Sequence, residues 1–186
     1  QDELEIRETF LLGQREDLDK SQQALRNLIE KINHTSRELF EKVFNDIRAN
    51  FQIMFRKLFG GGKADILLEE NVDILEAGIE IIAQPPNKEL RSITLLSGGE
   101  KVMTTVSLLF SVFQSKPSPF CILDEVDAAL DESNIKRFGL IVKEFTKDTQ
   151  FLIITHNKVT MSVADVMYGI TMQEPGVSKK IAVKFE

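Results

Sequence analysis

Three short stretches of this sequence bring together residue types that can handle a phosphate. Asp124 and Glu125 follow directly on the apolar run Phe120-Cys121-Ile122-Leu123. Carboxylates at the carboxyl edge of a parallel strand lie where α/β proteins bind ligands. An aspartate there can hold Mg²⁺, which takes a few oxygen ligands and keeps waters. A neighbouring glutamate can orient and polarise an attacking water for phosphoryl transfer. The plainer reading of the pair is a strand end with two solvated charges. Ser97-Gly98-Gly99-Glu100 precedes an apolar helical run. Two glycines let the backbone approach a phosphate, and a helix N-terminus offers free N–H groups and the positive end of its dipole. Ser97 adds a hydroxyl. The same four residues also spell a serine N-cap with Glu100 completing a capping box, and spacing does not separate the two readings. Thr155-His156-Asn157 ends a second apolar run, Phe151-Leu152-Ile153-Ile154. A histidine at that edge can hydrogen-bond a terminal phosphate or an attacking water; in isolation it reads as a satisfied structural histidine. His34 has no such context and reads as surface.

The elements that must carry these residues follow from periodicity. Leu4, Leu11, Leu18, Leu25, Ile32 and Leu39 recur every seven residues, the phase of a coiled-coil seam. The companion positions Arg7, Gln14 and Ser21 are polar, so the stripe is narrow and needs a partner helix; a long helix packed on its own domain is the alternative. From Phe40 to Phe59 the apolar positions broaden, as for a helix entering a core, and Gly60-Gly61-Gly62 ends it. Residues 64–84 read as β-structure, with runs at Ile66–Leu68, Val72–Ile74 and Gly78–Ile82, stopped by Pro85-Pro86. A loop leads to Ser97, and a helix follows over about 100–114. Phe120–Leu123 is wholly apolar, as expected for a strand covered on both faces. A helix over about 133–147 joins it to the strand Phe151–Thr155, which implies a parallel pair with a right-handed crossover. Strands near Tyr168–Met172 and Lys180–Phe185 close the chain.

Composition bounds the partners. Hydrophobic residues at 42% and charged residues at 28% fit a globular chain of 186 residues with a real core. A net charge of −6 argues against a dedicated basic nucleic-acid arm, though not against a local basic patch. The single cysteine, Cys121, lies in an apolar run and reads as a buried thiol. No apolar run approaches the length of a membrane span. The chain opens at Gln1-Asp2-Glu3 with no signal-like stretch, so we expect a cytoplasmic protein and a piece of a longer chain.

Order and spacing change the odds for the three stretches. Leu96-Ser97-Gly98-Gly99-Glu100-Lys101, Pro119 to Glu132 and Ile154-Thr155-His156-Asn157-Lys158 together resemble the head domain of structural maintenance of chromosomes (SMC) proteins, a branch of the ABC-type ATPases. Leu58-Phe59-Gly60-Gly61-Gly62, Ala77–Ile81, Pro85-Pro86 and Tyr168–Glu174 extend the resemblance from about residue 35 to the end, in bacterial or archaeal wording. It implies an α/β fold: the C-terminal lobe of an ABC-type ATPase head, a parallel sheet with flanking helices, bearing a projecting N-terminal coiled-coil helix. Residues 1–50 would be the returning coiled-coil strand and 51–186 the lobe. The cofactors implied are ATP and Mg²⁺. Ser97, Gly98 and Gly99 match the signature loop that contacts ATP on the opposite head. Asp124 matches the Walker B aspartate that supports Mg²⁺, Glu125 the catalytic glutamate, Asp131 the D-loop aspartate that communicates across the head dimer, and His156 the switch histidine. The implied partners are the N-terminal head half of the same protein, a second SMC head in a homodimer, a kleisin subunit and DNA, with no membrane. The location implied is cytoplasmic and nucleoid-associated.

Two departures stand out. Asn87-Lys88-Glu89 occupies a place where the family commonly has Gly and further Lys, which we expect to alter only a loop. Gly60-Gly61-Gly62-Lys63 invites a P-loop reading, but the earlier glycine is missing, Ala64 replaces Ser or Thr, and the segment follows a helix. Competing classes are a coiled-coil DNA-repair ATPase of the RecN type, an ABC-transporter engine, and a kleisin-binding module without activity. The seven-residue repeat and Val126-Asp127-Ala128-Ala129 disfavour the transporter.

Overall fold

The computed structural model describes residues 2–184, with side chains described except at 2–6 and 9. Gln1, Phe185 and Glu186 lie outside the described residues, as does the side chain of Leu4. Two compact units divide the chain: Gln1–Phe44 with Glu70–Ala77, and Asn45–Glu69 with Gly78–Glu186.

The long helix α1 runs Asp2–Phe59. In the first unit its seam residues Leu11, Leu18, Leu25, Ile32 and Leu39 are each more than half exposed. Among the described residues of that unit, nothing covers them. The second segment of the unit, Glu70–Ala77, was expected to hold a strand at Val72–Ile74, and it is a turn instead. Asn71 takes φ +64°, and the Asp73 side chain accepts from the Leu75 N–H at 3.0 Å. A carboxylate that satisfies the backbone locally competes with a ladder partner. Arg37 pairs with Asp73 from the helix.

The second unit builds on the end of α1. Phe51, Phe55 and Leu58 are fully buried, and Phe55 stacks on Phe59 at 4.1 Å between ring centroids. Gly60 ends the helix with φ +72°, and the Gly61 N–H reaches back to the Arg56 carbonyl at 3.0 Å, a Schellman closure. Strand β1 (Lys63–Leu68) follows, so this glycine run leaves a helix and enters a strand, the reverse of a P-loop's order. β1 pairs antiparallel with β2 (Ile79–Gln84), and β2 with the two-residue β3 (Arg91–Ser92). β3 and a 3-10 turn at Ile93–Leu95 occupy the stretch expected to be plain loop. Arg48 and Gln52 of α1 hold Asp65 of β1: the guanidinium donates twice at 2.6 Å, and Gln52 donates at 3.3 Å. Those donors hold the Asp65 carboxyl below the usual carboxylate range, the Arg48 hydrogen bond most of all.

Helix α2 (Gly98–Ser115) buries Met103, Val106 and Phe110 as its spacing requires, and Thr104, Ser107 and Ser111 beside them. Those hydroxyls satisfy themselves on carbonyls one turn back. β4 (Phe120–Asp124), α3 (Glu132–Phe145) and β5 (Gln150–Ile154) follow in order, and β4 pairs parallel with β5. Phe110 meets Phe138, Phe145 and Phe151 at 5.0–6.3 Å, which joins α2, α3 and the inner face of the pair. The expectation that these strands are covered on both faces fails. Phe120, Ile122, Leu152 and Ile154 are 62, 59, 53 and 50% exposed. Their alternate partners Cys121 and Leu123 are buried. One face of the parallel pair is packed, and the other is apolar and open. After the single turn α4 (Lys158–Met161), β6 (Val166–Glu174) and β7 (Val177–Lys184) form an antiparallel hairpin. The parallel sheet is thus a two-stranded one, accompanied by a three-stranded and a two-stranded antiparallel sheet.

Candidate functional site

The start of α2 meets both readings of Ser97-Gly98-Gly99-Glu100. Ser97 is the N-cap, and Glu100 Oε2 accepts from its N–H at 3.1 Å and its hydroxyl at 2.7 Å. Lys88 Nζ holds the other Glu100 oxygen at 2.8 Å. These contacts, with Lys88 foremost, keep the Glu100 carboxyl ionised below its usual range. Lys88 arrives there by a turn: the Lys88 N–H donates to the Pro85 carbonyl at 3.1 Å, and Asn87 takes φ +63°. That turn needs a left-handed third residue, which Gly supplies freely and Asn tolerates. Asn87 therefore keeps the backbone conformation that Gly would supply, and the turn brings Lys88 to Glu100. The two glycines differ. A Cβ on Gly98 would meet nothing within 4 Å, whereas one on Gly99 would sit 2.8 Å from the Ala129 carbonyl oxygen. Gly99 is bare because the loop after β4 packs against it. Gly98 has open space before it, which leaves room for a ligand to approach the backbone.

The second cluster lies at the carboxyl edge of the parallel pair. Asp124 is the last residue of β4 and is exposed. Glu125 still extends the ladder, donating its N–H to the Ile154 carbonyl at 2.9 Å, but turns to φ +46°. That left-handed conformation costs a non-glycine residue about 1–2 kcal/mol. Strain of this kind persists only where the surroundings enforce it, and it gathers at functional sites. His156 lies just beyond β5, with its Nδ1 3.7 Å from Glu125 Oε1; the two side chains are 75 and 61% exposed. Asp131 caps α3, accepting from the Asn134 N–H at 2.8 Å, and Asn157 caps α4. Between these pieces Asp127 is 2% exposed, and its Oδ2 accepts from the Thr155 hydroxyl at 2.6 Å and from the Thr160 hydroxyl.

The sequence thus led to Asp124, Glu125 and His156, which share one sheet edge, and to Ser97–Gly99, which touches that edge's loop through Ala129. Asp131 is engaged as a helix cap. Sequence reasoning passed over Lys88, Asp127 and Thr160. Asp127 left a signal, an acid among Val126, Ala128, Ala129 and Leu130. Lys88 left none, since its partner is fixed only by the turn. As a metal site the cluster is sparse: no group of three or more His, Cys, Asp or Glu is placed to hold an ion among the described residues.

Residues 8–179 match the family described as the RecF/RecN/SMC N terminal domain, and the chain belongs to that family. Within it, the chain is similar to the chromosome partition protein Smc of Rhodopirellula baltica, at 52% identity over 184 residues, 99% of this chain. It spans about 15% of the length of the curated relatives it matches. A Pyrococcus furiosus Smc head domain with an extended coiled coil, bound to the C-terminal domain of ScpA, superposes with TM-score 0.79 at 37% identity, over 97% of this chain and 45% of that one. A structure from work on ATP-driven dimerization and DNA-stimulated activation of SMC ATPases superposes with TM-score 0.72 at 38% identity, over 79% of this chain and 89% of that one. The fold is the α/β fold of SMC heads. No helix among the described residues is long and apolar enough to cross a membrane.

Proposed function

We propose that this chain is the C-terminal half of an SMC ATPase head, which in the intact protein engages a second head on ATP and hydrolyses it to organise and segregate chromosomes. Residues 1–50 serve as the returning coiled-coil strand and 51–186 as the lobe. The observation that carries the reading is the pairing of Glu125 and His156, 3.7 Å apart beside Asp124 at the edge of the parallel strands. Asp124 would hold Mg²⁺, which neutralises phosphate charge when bound. Glu125 orients and deprotonates the attacking water. His156 hydrogen-bonds that water or the terminal phosphate. Ser97, Gly98 and Gly99 contact ATP held by the opposite head, and Asp131 lies in the loop that meets that head.

The open face of Phe120, Ile122, Leu152 and Ile154 supports the N-terminal half of the same protein as a partner, since four large apolar side chains on one sheet face call for cover. The exposed seam of α1 supports a coiled-coil mate. A kleisin is proposed from the Pyrococcus furiosus head with ScpA, and DNA from the work on SMC ATPases. The location proposed is cytoplasmic and nucleoid-associated. Glu125→Gln in the full-length protein is expected to bind ATP and keep heads engaged while steady-state hydrolysis falls to background. Wild-type turnover by that variant would remove Glu125 from its role. The second reading takes the chain by itself as a kleisin-binding module without activity, favoured if the purified chain retains a kleisin in a pull-down.

A further inference from the structure

Glu125 and His156 are both largely exposed, so burial does not hold them; their separation is set by the two backbones that carry them. One buried group joins those backbones. Asp127 lies in the turn that Glu125 begins: the Ala128 N–H donates to the Glu125 carbonyl, and the Leu130 N–H to the Asp127 carbonyl, both at 3.1 Å. A single oxygen of Asp127, Oδ2, receives the Thr155 and Thr160 hydroxyls, which stand on either side of His156. Thr155 Oγ1 in turn accepts the Asn157 N–H at 2.9 Å. The carboxylate thus clamps the segment after β5 at both flanks of the histidine and fixes it to the segment that starts at the left-handed Glu125. Burying a carboxylate is costly unless its oxygens are bonded, and a broken buried polar network leaves its members unsatisfied. Each hydroxyl that leaves Asp127 therefore loosens the hold on one flank of His156.

We propose that Asp127 is the positioning residue for hydrolysis, setting the Glu125–His156 geometry from beneath without touching nucleotide. The proposal rests on the roles given above to those two residues. Its test uses the full-length protein and three variants beside Glu125→Gln. Misplacing a reacting pair by an ångström can cost about 100-fold in rate. Asp127→Ala is expected to lower kcat by about 10- to 100-fold, with ATP KM and bound ATP per head near wild type. Asp127→Asn keeps one carbonyl oxygen for both hydroxyls and is expected to recover kcat to within about 5-fold of wild type. Thr160→Val removes one donor and is expected to lose about 3- to 10-fold in kcat at unchanged KM.

A merely structural role would lower the number of heads that bind ATP and leave turnover per bound ATP unmoved; that result, or wild-type kcat in Asp127→Ala, overturns the proposal. If Asp127→Ala does not fold, Thr160→Val decides by the same two numbers. Wild-type turnover by Glu125→Gln removes the parent reading and this proposal together, whereas an inactive Glu125→Gln beside fully active Asp127 and Thr160 variants removes this proposal alone.

Discussion

At the scale of single residues, two adjacent glycines separate packing from chemistry. Gly99 lies against the Ala129 carbonyl, and Gly98 faces open space. Gly99→Ala is therefore expected to destabilise the chain by about 1–3 kcal/mol, the usual cost of overpacking. Gly98→Ala should leave stability within about 0.5 kcal/mol of wild type. On the role proposed for this loop, Gly98→Ala in the intact protein should nonetheless weaken ATP-dependent engagement, because a methyl group would fill the open space before the backbone. Thermal melts of the two variants and an engagement assay on the second check this; equal melting losses would show that both glycines serve packing. Glu100 illustrates the same division. It is a capping-box partner by its bonds to Ser97, and the Lys88 ion pair balances its charge at the helix start.

At the scale of elements, stability turns on how α1 is tied to β1. The folded Asp65 carboxyl titrates below its usual range, chiefly through the Arg48 hydrogen bond. Such a group contributes stability that is complete above the unfolded value near 3.8 and is lost as pH falls through the lower folded value. Arg48 is 39% exposed, so solvent screening trims the pair to about 1 kcal/mol. Asp65→Asn should lose that much at pH 7, and the gap to wild type should close as denaturation is followed from pH 5 to below 3. A gap that stays constant would assign the loss to packing. The elements were legible in the sequence wherever periodicity carried them: α1, α2, α3 and the β4–β5 pair follow directly from apolar spacing. Val72–Ile74 misled because three residues in β-like alternation were outweighed by Asn71 and by an aspartate that bonds its own turn. β3 escaped because two residues have no period. The uncovered faces of β4 and β5 escaped for another reason, that composition tells how apolar a strand is and not whether its cover lies on the same chain. The candidate site divides likewise. Asp124, Glu125, His156 and Ser97 are marked by position at element ends, while Asp127 acts through Thr155 and Thr160, 28 and 33 residues away.

At the scale of the whole molecule, the proposed function draws part of its nucleotide site from the N-terminal half of the head. Asp124, Glu125 and His156 stand on one sheet edge, yet the glycine run at Gly60–Gly62 closes a helix and cannot cradle phosphates as a P-loop does. The described chain alone is accordingly expected to release phosphate from ATP at background rate. Adding the N-terminal half of the head should restore turnover and should protect the Phe120, Ile122, Leu152 and Ile154 face from hydrophobic dyes. A phosphate-release assay on the purified chain checks the first part, and turnover well above a Glu125→Gln control would contradict it.

The carbonyls that end α1 do not point into water alone. Arg137 of α3 donates to the Phe59 carbonyl at 3.0 Å and the Leu58 carbonyl at 3.5 Å, and its guanidinium lies 3.2 Å from where a Cβ on Gly60 would stand. Arg137 belongs to the helix whose cap, Asp131, closes the loop begun at Glu125. In mechanical terms this is a rivet: the last turn of α1 is joined to α3 by charge-assisted hydrogen bonds as well as through the chain itself. Tension on that last turn is then shared with α3, the helix that follows the segment carrying the candidate carboxylates.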